Sequence, residues 1–137
     1  MRTRYSPLVK LKKSTMDKSE RVVQKANVDL NSASIALELS YNSLDDIKTP
    51  TTGSINDLLA SRSLLSSQRG LINHNKEWVN FAKKQVNFAK QQLKLDMIEY
   101  EKFKYLEFQE REKMQYEIKT KESKELDEIA LMTYGKR

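Results

Sequence analysis

Few side chains in this sequence have types and spacings that suit acid–base or nucleophilic chemistry. The chain of 137 residues contains one histidine, His74, and no cysteine. A histidine that serves as a general base or a metal ligand needs helper groups held close to it by a compact fold. Without cysteine there is neither a disulfide framework nor a thiolate metal site. We therefore expect His74 to be a surface hydrogen-bonding residue, and we expect no cofactor and no metal.

Motifs that bind phosphate or pair two carboxylates are equally hard to find. A nucleotide-binding P-loop has the pattern GxxxxGK[ST], whereas Gly135-Lys136 of this chain stands alone at the terminus. The 19 Asp and Glu residues are spread along charged segments, which does not amount to two carboxylates facing one cleft. These observations predict that the protein is not an enzyme.

The elements that would position any functional residue are helices. Hydrophobic residues make up 38% of the chain and charged residues 32%, with three glycines and two prolines. This is thin for a globular core but sufficient for a seam between two helices, which needs about two apolar residues in seven. No apolar stretch approaches the roughly 20 residues of a membrane span, and the basic start lacks the apolar region of a signal peptide. A cytoplasmic location is expected.

The first helix is predicted over residues 6–47, with Ser6 as its N-cap and Pro7 at its first position. From residue 23 the apolar residues step alternately by three and four, which is a heptad repeat, with Ser40 filling one slot. The predicted seam of this helix consists of Leu8, Leu11, Met16, Val23, Ala26, Leu30, Ala33, Leu37, Leu44 and Ile47.

A turn is predicted at residues 48–53, which hold the only interior proline and a glycine. Ser54 followed by Asp57 fits a capping box, so a second helix is expected over residues 54–132, with Gly135 as a cap beyond its end. Its predicted seam contains the polar residues Gln68, Asn75 and Asp96 and the apolar residues Leu58, Leu65, Ile72, Val79, Ala82, Val86, Ala89, Leu93, Tyr100 and Phe103.

Folding the chain back at this turn gives an all-α fold, a long antiparallel two-stranded coiled-coil hairpin that forms a single domain over residues 1–137. The second helix is longer than the first. We expect the first helix to pair with residues 55 to about 97, which leaves an overhanging C-terminal helix of some 35 residues. Residues 104–128 carry six Lys or Arg and eight Asp or Glu, as expected of a solvated helix that awaits a partner.

A duplicated heptad lies within the second helix. Residues 79–85 read VNFAKKQ and residues 86–92 read VNFAKQQ. When Val and Ala occupy the seam, Phe81 and Phe88 fall on its flank, beside Trp78. These three aromatic residues form a possible docking stripe for another element, or they lean over the seam and cover it.

The net charge of +6 is concentrated at one end, because residues 1–25 hold eight Lys or Arg and two acidic residues. A basic end of this kind can bind an acidic protein, anionic lipid or nucleic acid. Alternatively, it is a solvated surface that only keeps the protein soluble.

Three segments of the chain carry patterns found together in one protein family. The start, Tyr5-Ser-Pro-Leu-Val-Lys-Leu-Lys12, has an aromatic-x-x-leucine-x-x-leucine-basic pattern. The finish is Lys124-Glu-Leu-Asp-Glu-Ile-Ala130 before an aromatic and a basic tail, and the second helix restarts with Gly53-Ser-Ile through Leu64-Leu65 to Ile72-Asn-His74. The opening, the ending and this restart of the second helix resemble those of the flagellar export proteins called FliJ.

The resemblance implies a component of the flagellar type III export apparatus, shaped like the two-helix stalk of the ATP synthase gamma subunit. Family members insert into the hexameric export ATPase, promote its assembly, bind the cytoplasmic domain of the export gate membrane protein, and have been described as escorts of export chaperones. The implied location is the cytoplasm, peripherally associated with the inner membrane at the flagellar base. The free protein is expected to be a monomeric hairpin that binds no nucleic acid.

The resemblance also implies two sets of binding residues. Those for the ATPase are Tyr5, Leu8, Leu11, Leu126, Asp127, Glu128 and Ile129. Those for the export gate lie on both helices near the turn and are Tyr41, Leu44, Leu64, Gln68, Leu71 and His74. Plain packing in the seam is the competing interpretation of Leu44 and Leu64.

Two other kinds of function compete with a stalk. A basic coiled coil could bind nucleic acid, although the sequence contains no known nucleic-acid reader motif. A structural homodimer could pair its long helices between chains, which a measurement of molecular mass would detect.

Overall fold

The computed structural model describes residues 2–47 and 53–135, and within these residues every regular element is a helix. Helix α1 spans Ser6–Asp45 and helix α2 spans Ile55–Gly135. The predicted all-α helical hairpin is confirmed. Helix α1 ends two residues before the predicted position and α2 ends three residues after it. The predicted turn lies outside the described residues except for Gly53. Over the described residues, neither helix has an apolar stretch long enough to cross a membrane.

The start of α1 differs from the sequence prediction. The Thr3 hydroxyl accepts a hydrogen bond from the Tyr5 N–H at 3.2 Å, and the Ser6 hydroxyl accepts one from the Thr3 N–H at 3.0 Å. The assignment of Ser6 as the N-cap is therefore wrong, because its side chain bonds backward along the chain. The Val9 N–H already has a partner in the Tyr5 carbonyl at 2.8 Å, so it does not need a forward bond from Ser6.

The start of α2 follows the predicted capping box. The Ser54 N–H donates to Oδ2 of Asp57 and the Asp57 N–H donates to Oγ of Ser54, both at 3.3 Å. Gly53 precedes this box with a φ of +147°. This backbone conformation favours glycine, and a Cβ at this position would also lie 2.9 Å from Oδ2 of Asp57, at the movable end of that side chain.

The chain divides into two compact units, and one of them comprises residues 18–94. Its core contains Ile72 and two alanine layers. Ala33 packs with Val79 and Ala82, and Ala26 packs with Val86 and Ala89. A step of seven residues back along α1 is thus matched by seven forward along α2, as in an antiparallel coiled coil. Val23, Leu30 and Leu37 pack against these layers from the side.

The other unit comprises residues 1–17 and 95–137. Arg4 lies 3.9 Å from Glu110 and Lys12 lies 3.7 Å from Glu99, so the two segments run antiparallel. The Lys12 ammonium also lies 5.5 Å from the centre of the Phe103 ring. In this unit, no apolar side chain of the described residues is fully buried.

Most of the predicted seam is confirmed, with three corrections. Leu8, Leu11 and Leu58 are 38%, 59% and 43% exposed and do not belong to the seam. The alternating steps of four and three, continued backward from Val23, lead to Ser19, Met16, Lys12 and Val9, which are all buried or half-buried. Met16 agrees with the predicted seam, whereas Lys12 and Val9 replace Leu11 and Leu8. A polar seam residue such as Lys12 keeps its stem in the interface and its ammonium beside Glu99, which an apolar pattern does not detect.

The paired length of α2 is also shifted from the predicted one. Residues 55–64 are exposed except for Ser61, and Leu65 is the first half-buried apolar residue of α2. At the other end, the contact of Arg4 with Glu110 lies 13 residues beyond the predicted limit at residue 97. The shift follows from the register of the alanine layers. The overhang is correspondingly shorter, since exposure becomes continuous, apart from half-buried Thr120, after Met114.

Candidate binding surfaces

A cluster of polar contacts crosses the seam near the end of α1. Asn75 Nδ2 donates to Oγ of Ser40 and, at 3.3 Å, to the carbonyl oxygen of Ala36. The Ser40 hydroxyl donates to the same carbonyl at 2.8 Å, and Gln68 Nε2 donates to the Ser40 carbonyl at 2.8 Å. Ser40 and Asn75 are 4% and 7% exposed. The predicted polar seam residues Gln68 and Asn75 thus serve a structural purpose, since buried polar pairs fix the alignment of two helices.

The residues assigned to the export gate fall on different sides of this seam. Leu44 and Gln68 are half-buried in it. His74 and Lys76 precede and follow the seam residue Asn75, so they point to opposite sides of α2. The Tyr41 ring lies under the Lys76 ammonium, 5.7 Å from the ring centre, and therefore on the side opposite His74.

One side of α2 therefore carries the accessible part of the gate prediction. Leu64 and Leu71 are 55% and 47% exposed, and His74 is exposed as well. His74 lines a shallow groove of about 500 Å³ together with Glu77, Trp78 and Phe81. The gate prediction remains untested for all six residues, but three of them share this side.

The predicted docking stripe lies along the same side. Trp78, Phe81 and Phe88 are 40%, 59% and 64% exposed. The two phenyl rings keep most of their surface in contact with solvent, so they do not cover the seam. Large exposed apolar side chains in a row are typical of an interaction surface.

The N-terminal residues assigned to the ATPase surround the start of α1. Tyr5 is half-buried, with the Arg4 guanidinium 5.0 Å from the centre of its ring. Leu8 and Leu11 are exposed, as described above. They are free of the seam because Val9 and Lys12 occupy the positions predicted for them.

The C-terminal residues assigned to the ATPase lie on the part of α2 that α1 does not accompany. Leu126 and Ile129 are 66% and 60% exposed, and Asp127 and Glu128 are exposed between them. Leu126 lies 16 residues beyond Glu110, the partner of Arg4, which is about 24 Å along a helix. The structure therefore does not bring the N-terminal and C-terminal sets together into one patch.

Sequence analysis missed a cationic groove in the same unit as both sets. It has a volume of about 600 Å³ and is lined by Arg2, Ser6, Pro7, Val9, Lys10, Lys13, Glu107 and Arg111. Glu107 accepts an ion pair from Arg111 at 2.6 Å, so it neutralises one of the four cations. The excess of positive charge in residues 1–25 was the sequence signal for this groove. Arg111 belongs to the other helix, and its place in the groove depends on how the two helices align.

Among residues 2–47 and 53–135, no group of three or more His, Asp or Glu side chains is arranged to hold a metal ion.

Three comparisons relate this geometry to known proteins. A family model described as "Flagellar FliJ protein" matches residues 1–137. Among solved structures, the chain is similar to a protein described as a YscO homolog from Chlamydia trachomatis, with 21% sequence identity and a TM-score of 0.48, over 98% of this chain and 95% of that one. No match was found among curated proteins.

Proposed function

Because this chain belongs to the FliJ family and is thereby a component of the flagellar type III export apparatus, we propose that it is the central stalk of the export ATPase. The stalk binds the hexameric ATPase, promotes assembly of its ring, and couples the ring to the export gate. The protein acts at the flagellar base and has no catalytic step of its own. Escort of export chaperones is a further part of this proposal.

The observation that carries the proposal is the unaccompanied C-terminal part of α2. After Met114 its residues are exposed apart from half-buried Thr120, yet they continue as helix to Gly135. Leu126, Ile129 and Met132 recur every three residues and are 60–69% exposed, so they form an apolar strip along one face. A single helix of this kind gains stability by laying its apolar face in a partner's groove.

The start of α1 supports the same proposal. Leu8 and Leu11 are apolar, exposed and outside the seam, so packing does not account for them. The nearby groove lined by Arg2, Lys10 and Lys13 gives this region a positive field, which speeds encounter with an acidic partner.

Coupling to the gate is supported by the side of α2 that carries Leu64, Leu71 and His74. The residues on this side are exposed, although the seam continues directly behind them at Ile72 and Asn75. A partner can therefore contact this side without opening the hairpin.

The stalk is tested by ATPase activity and ring formation with and without the chain at equal ATPase concentration. The double substitution Leu126→Ser, Ile129→Ser should abolish stimulation, because it removes the apolar strip, and should leave the helix content of the hairpin unchanged. The control is Phe108→Ser, which removes a side chain that is 58% exposed and lies outside the proposed contacts. Full stimulation by the double variant would refute the assignment of these residues.

The gate contact is tested separately by titrating the cytoplasmic domain of the export gate protein with the chain. Leu71→Ser combined with His74→Ala should weaken binding, whereas Tyr41→Ala should have little effect because Tyr41 lies on the other side of the seam. The opposite ranking of these variants would move the gate contact to the Tyr41 side.

A further inference from the structure

The docking stripe of Trp78, Phe81 and Phe88 is extended along α2 by Leu71, and we call these four residues the outer stripe. All four are 40–64% exposed. Leu71 and Trp78 are seven residues apart, and so are Phe81 and Phe88. This is the period of the seam formed by Val79, Ala82, Val86 and Ala89, so the outer stripe stays parallel to the seam along the helix. A surface with this period fits another helix lying alongside α2.

The order of residues in the outer stripe is palindromic. If two α2 helices run antiparallel with a twofold axis between residues 79 and 80, Trp78 of one copy faces Phe81 of the other. In the same alignment Leu71 faces Phe88, and the polar residue His74 faces the polar residue Gln85. Each apolar residue thus meets an apolar residue, which is the self-complementarity that a twofold interface between identical chains requires.

We propose that the outer stripe binds the outer stripe of a second copy of this chain, forming an antiparallel dimer. Trp78 and Phe81 sit beside the shallow groove of about 500 Å³, which His74 and Glu77 also line. The groove offers a place for the aromatic ring of Trp78 from the second copy. Aromatic side chains that meet near the centre of an interface are its most effective anchors.

Charges on the flank of the stripe fit the same arrangement. Glu77 and Lys84 occupy equivalent flank positions seven residues apart, one on each side of the twofold axis. In the antiparallel dimer, Glu77 of each copy therefore approaches Lys84 of the other within about one helical turn. A parallel alignment would instead bring Glu77 against Glu77 and Lys84 against Lys84, which is repulsive.

The dimer covers Leu71 and His74, so it excludes the proposed contact with the export gate. This consequence rests on the proposed function, whereas the dimer itself does not. Self-association would keep the gate-binding side covered until the chain is incorporated into the apparatus.

The first test is the molecular mass of the purified full chain, measured by sedimentation equilibrium. The concentration is varied over about a hundredfold range, so that a change in the dissociation constant of the dimer of up to that size is detected. The mass should rise from 16.0 kDa towards twice that value. Phe81→Ser should weaken dimerisation at least about fivefold, since the loss of an interface anchor typically costs more than 1 kcal/mol. Val28→Ser, which removes a 63% exposed side chain of α1, is the control.

The second test uses the absence of cysteine from the chain to define the alignment. In the variant Glu77→Cys, Lys84→Cys the two thiols of one chain are about 10 Å apart along the helix, too far for an internal disulfide. Mild oxidation should therefore link two copies. Neither single variant should cross-link, whereas Lys83→Cys paired with Lys90→Cys tests a row on the other side of the seam and should remain unlinked.

Three results would overturn the proposal. The first is a mass that stays at 16.0 kDa throughout the series. The second is cross-linking of Glu77→Cys with itself, which would indicate a parallel pair. The third is a dimer that Phe81→Ser leaves intact, because the dimer would then use another face. Since these tests use the purified chain alone, failure of ATPase stimulation would affect only the proposed function.

Discussion

The contacts of Asn75 with Ser40 and Ala36 are the most specific interaction between the helices in the unit of residues 18–94. The alanine layers nearby would tolerate a slip of one heptad, because Ala26 and Ala33 are alike and so are Val79 and Val86. A slip would leave the amide of Asn75 without its partners. An unsatisfied buried polar group costs about 1–3 kcal/mol, so these bonds select one register among similar ones.

Removing only Ser40 or only Asn75 from this pair should therefore lower the free energy of unfolding more than removing both. We expect Ser40→Ala to lower the free energy of unfolding by about 1–3 kcal/mol, since one amide hydrogen of Asn75 loses its acceptor. Adding Asn75→Leu should recover much of this loss by creating an apolar pair. Urea denaturation measures both variants, and Asn80→Ala on the exposed side of α2 is the control. Additive losses in the double variant would contradict this account.

Substitution by alanine should change the stability of the protein in opposite directions at two glycines. Gly53→Ala should destabilise the protein by about 1–3 kcal/mol, because of its φ of +147° and the approach of the new Cβ to Asp57. Gly70→Ala should stabilise by about 0.5–1 kcal/mol, since Gly70 lies within α2 with nothing inside 4 Å of the added Cβ. Thermal melting of the two variants checks both signs, and a shift in the same direction for both would contradict the structure.

At the scale of the element, α2 changes its environment along its length. From Leu65 to Met114 residues of α2 are buried or half-buried at alternating steps of three and four, and beyond Met114 this pattern stops. The terminal part of α2 therefore has little tertiary support.

A truncation after Gln115 should separate function from folding. It removes the C-terminal strip but keeps Glu99 and Glu110, which pair with Lys12 and Arg4. We expect loss of ATPase stimulation with an unchanged melting temperature of the hairpin. Truncation after Met132 keeps Leu126 and Ile129 and should preserve stimulation. If the shorter chain melts at a lower temperature, residues after 115 contribute to the fold as well.

The sequence predicted the seam of each helix better than the pairing between them. The alternating steps of three and four along each helix are a local signal, and they placed Ala26 and Ala33 of α1 and the polar Asn75 of α2 correctly. The register depends on which layers of the two helices meet, and a seam of similar small residues offers several near-equal choices. Leu58 was assigned to the seam because it is apolar, but no heptad position of α1 reaches it.

At the scale of the whole molecule, burial is concentrated in one unit. Every fully buried apolar residue of the described chain lies within residues 18–94. The other unit is held by half-buried residues such as Phe103 and by ion pairs. Local stability should follow this distribution of buried contacts.

Hydrogen exchange should reveal this distribution. We expect the slowest amide exchange in residues 26–40 and 72–89, which hold the alanine layers and the Asn75 contacts. Exchange should be faster in residues 6–17 and fastest in residues 116–135. Mass spectrometry of peptides from the full chain measures each range. Equal protection of residues 116–135 and 72–89 would show that the terminal part of α2 is stabilised by contacts other than those described.

The binding sites could be predicted only as residue types, because each site is a surface rather than a chemical constellation. The sequence placed Trp78, Phe81 and Phe88 on a flank of the seam, and the structure puts them there. It grouped Tyr41 with His74, although Tyr41 contacts Lys76 on the side of the seam opposite His74. Which side a residue faces depends on one or two positions relative to the seam, so a small error in assigning the seam moves a residue to another surface.

The small side chains of the seam also affect how the fold responds to temperature. Among residues 2–47 and 53–135, the buried apolar residues are alanine, valine and one isoleucine, and no large side chain is completely buried. Unfolding therefore exposes little new apolar surface per residue, and the heat capacity should rise by less than the roughly 12–15 cal/mol/K per residue typical of globular domains. A smaller heat capacity change flattens the curve of free energy against temperature. The hairpin should therefore keep a nearly constant stability over a wide range of growth temperatures.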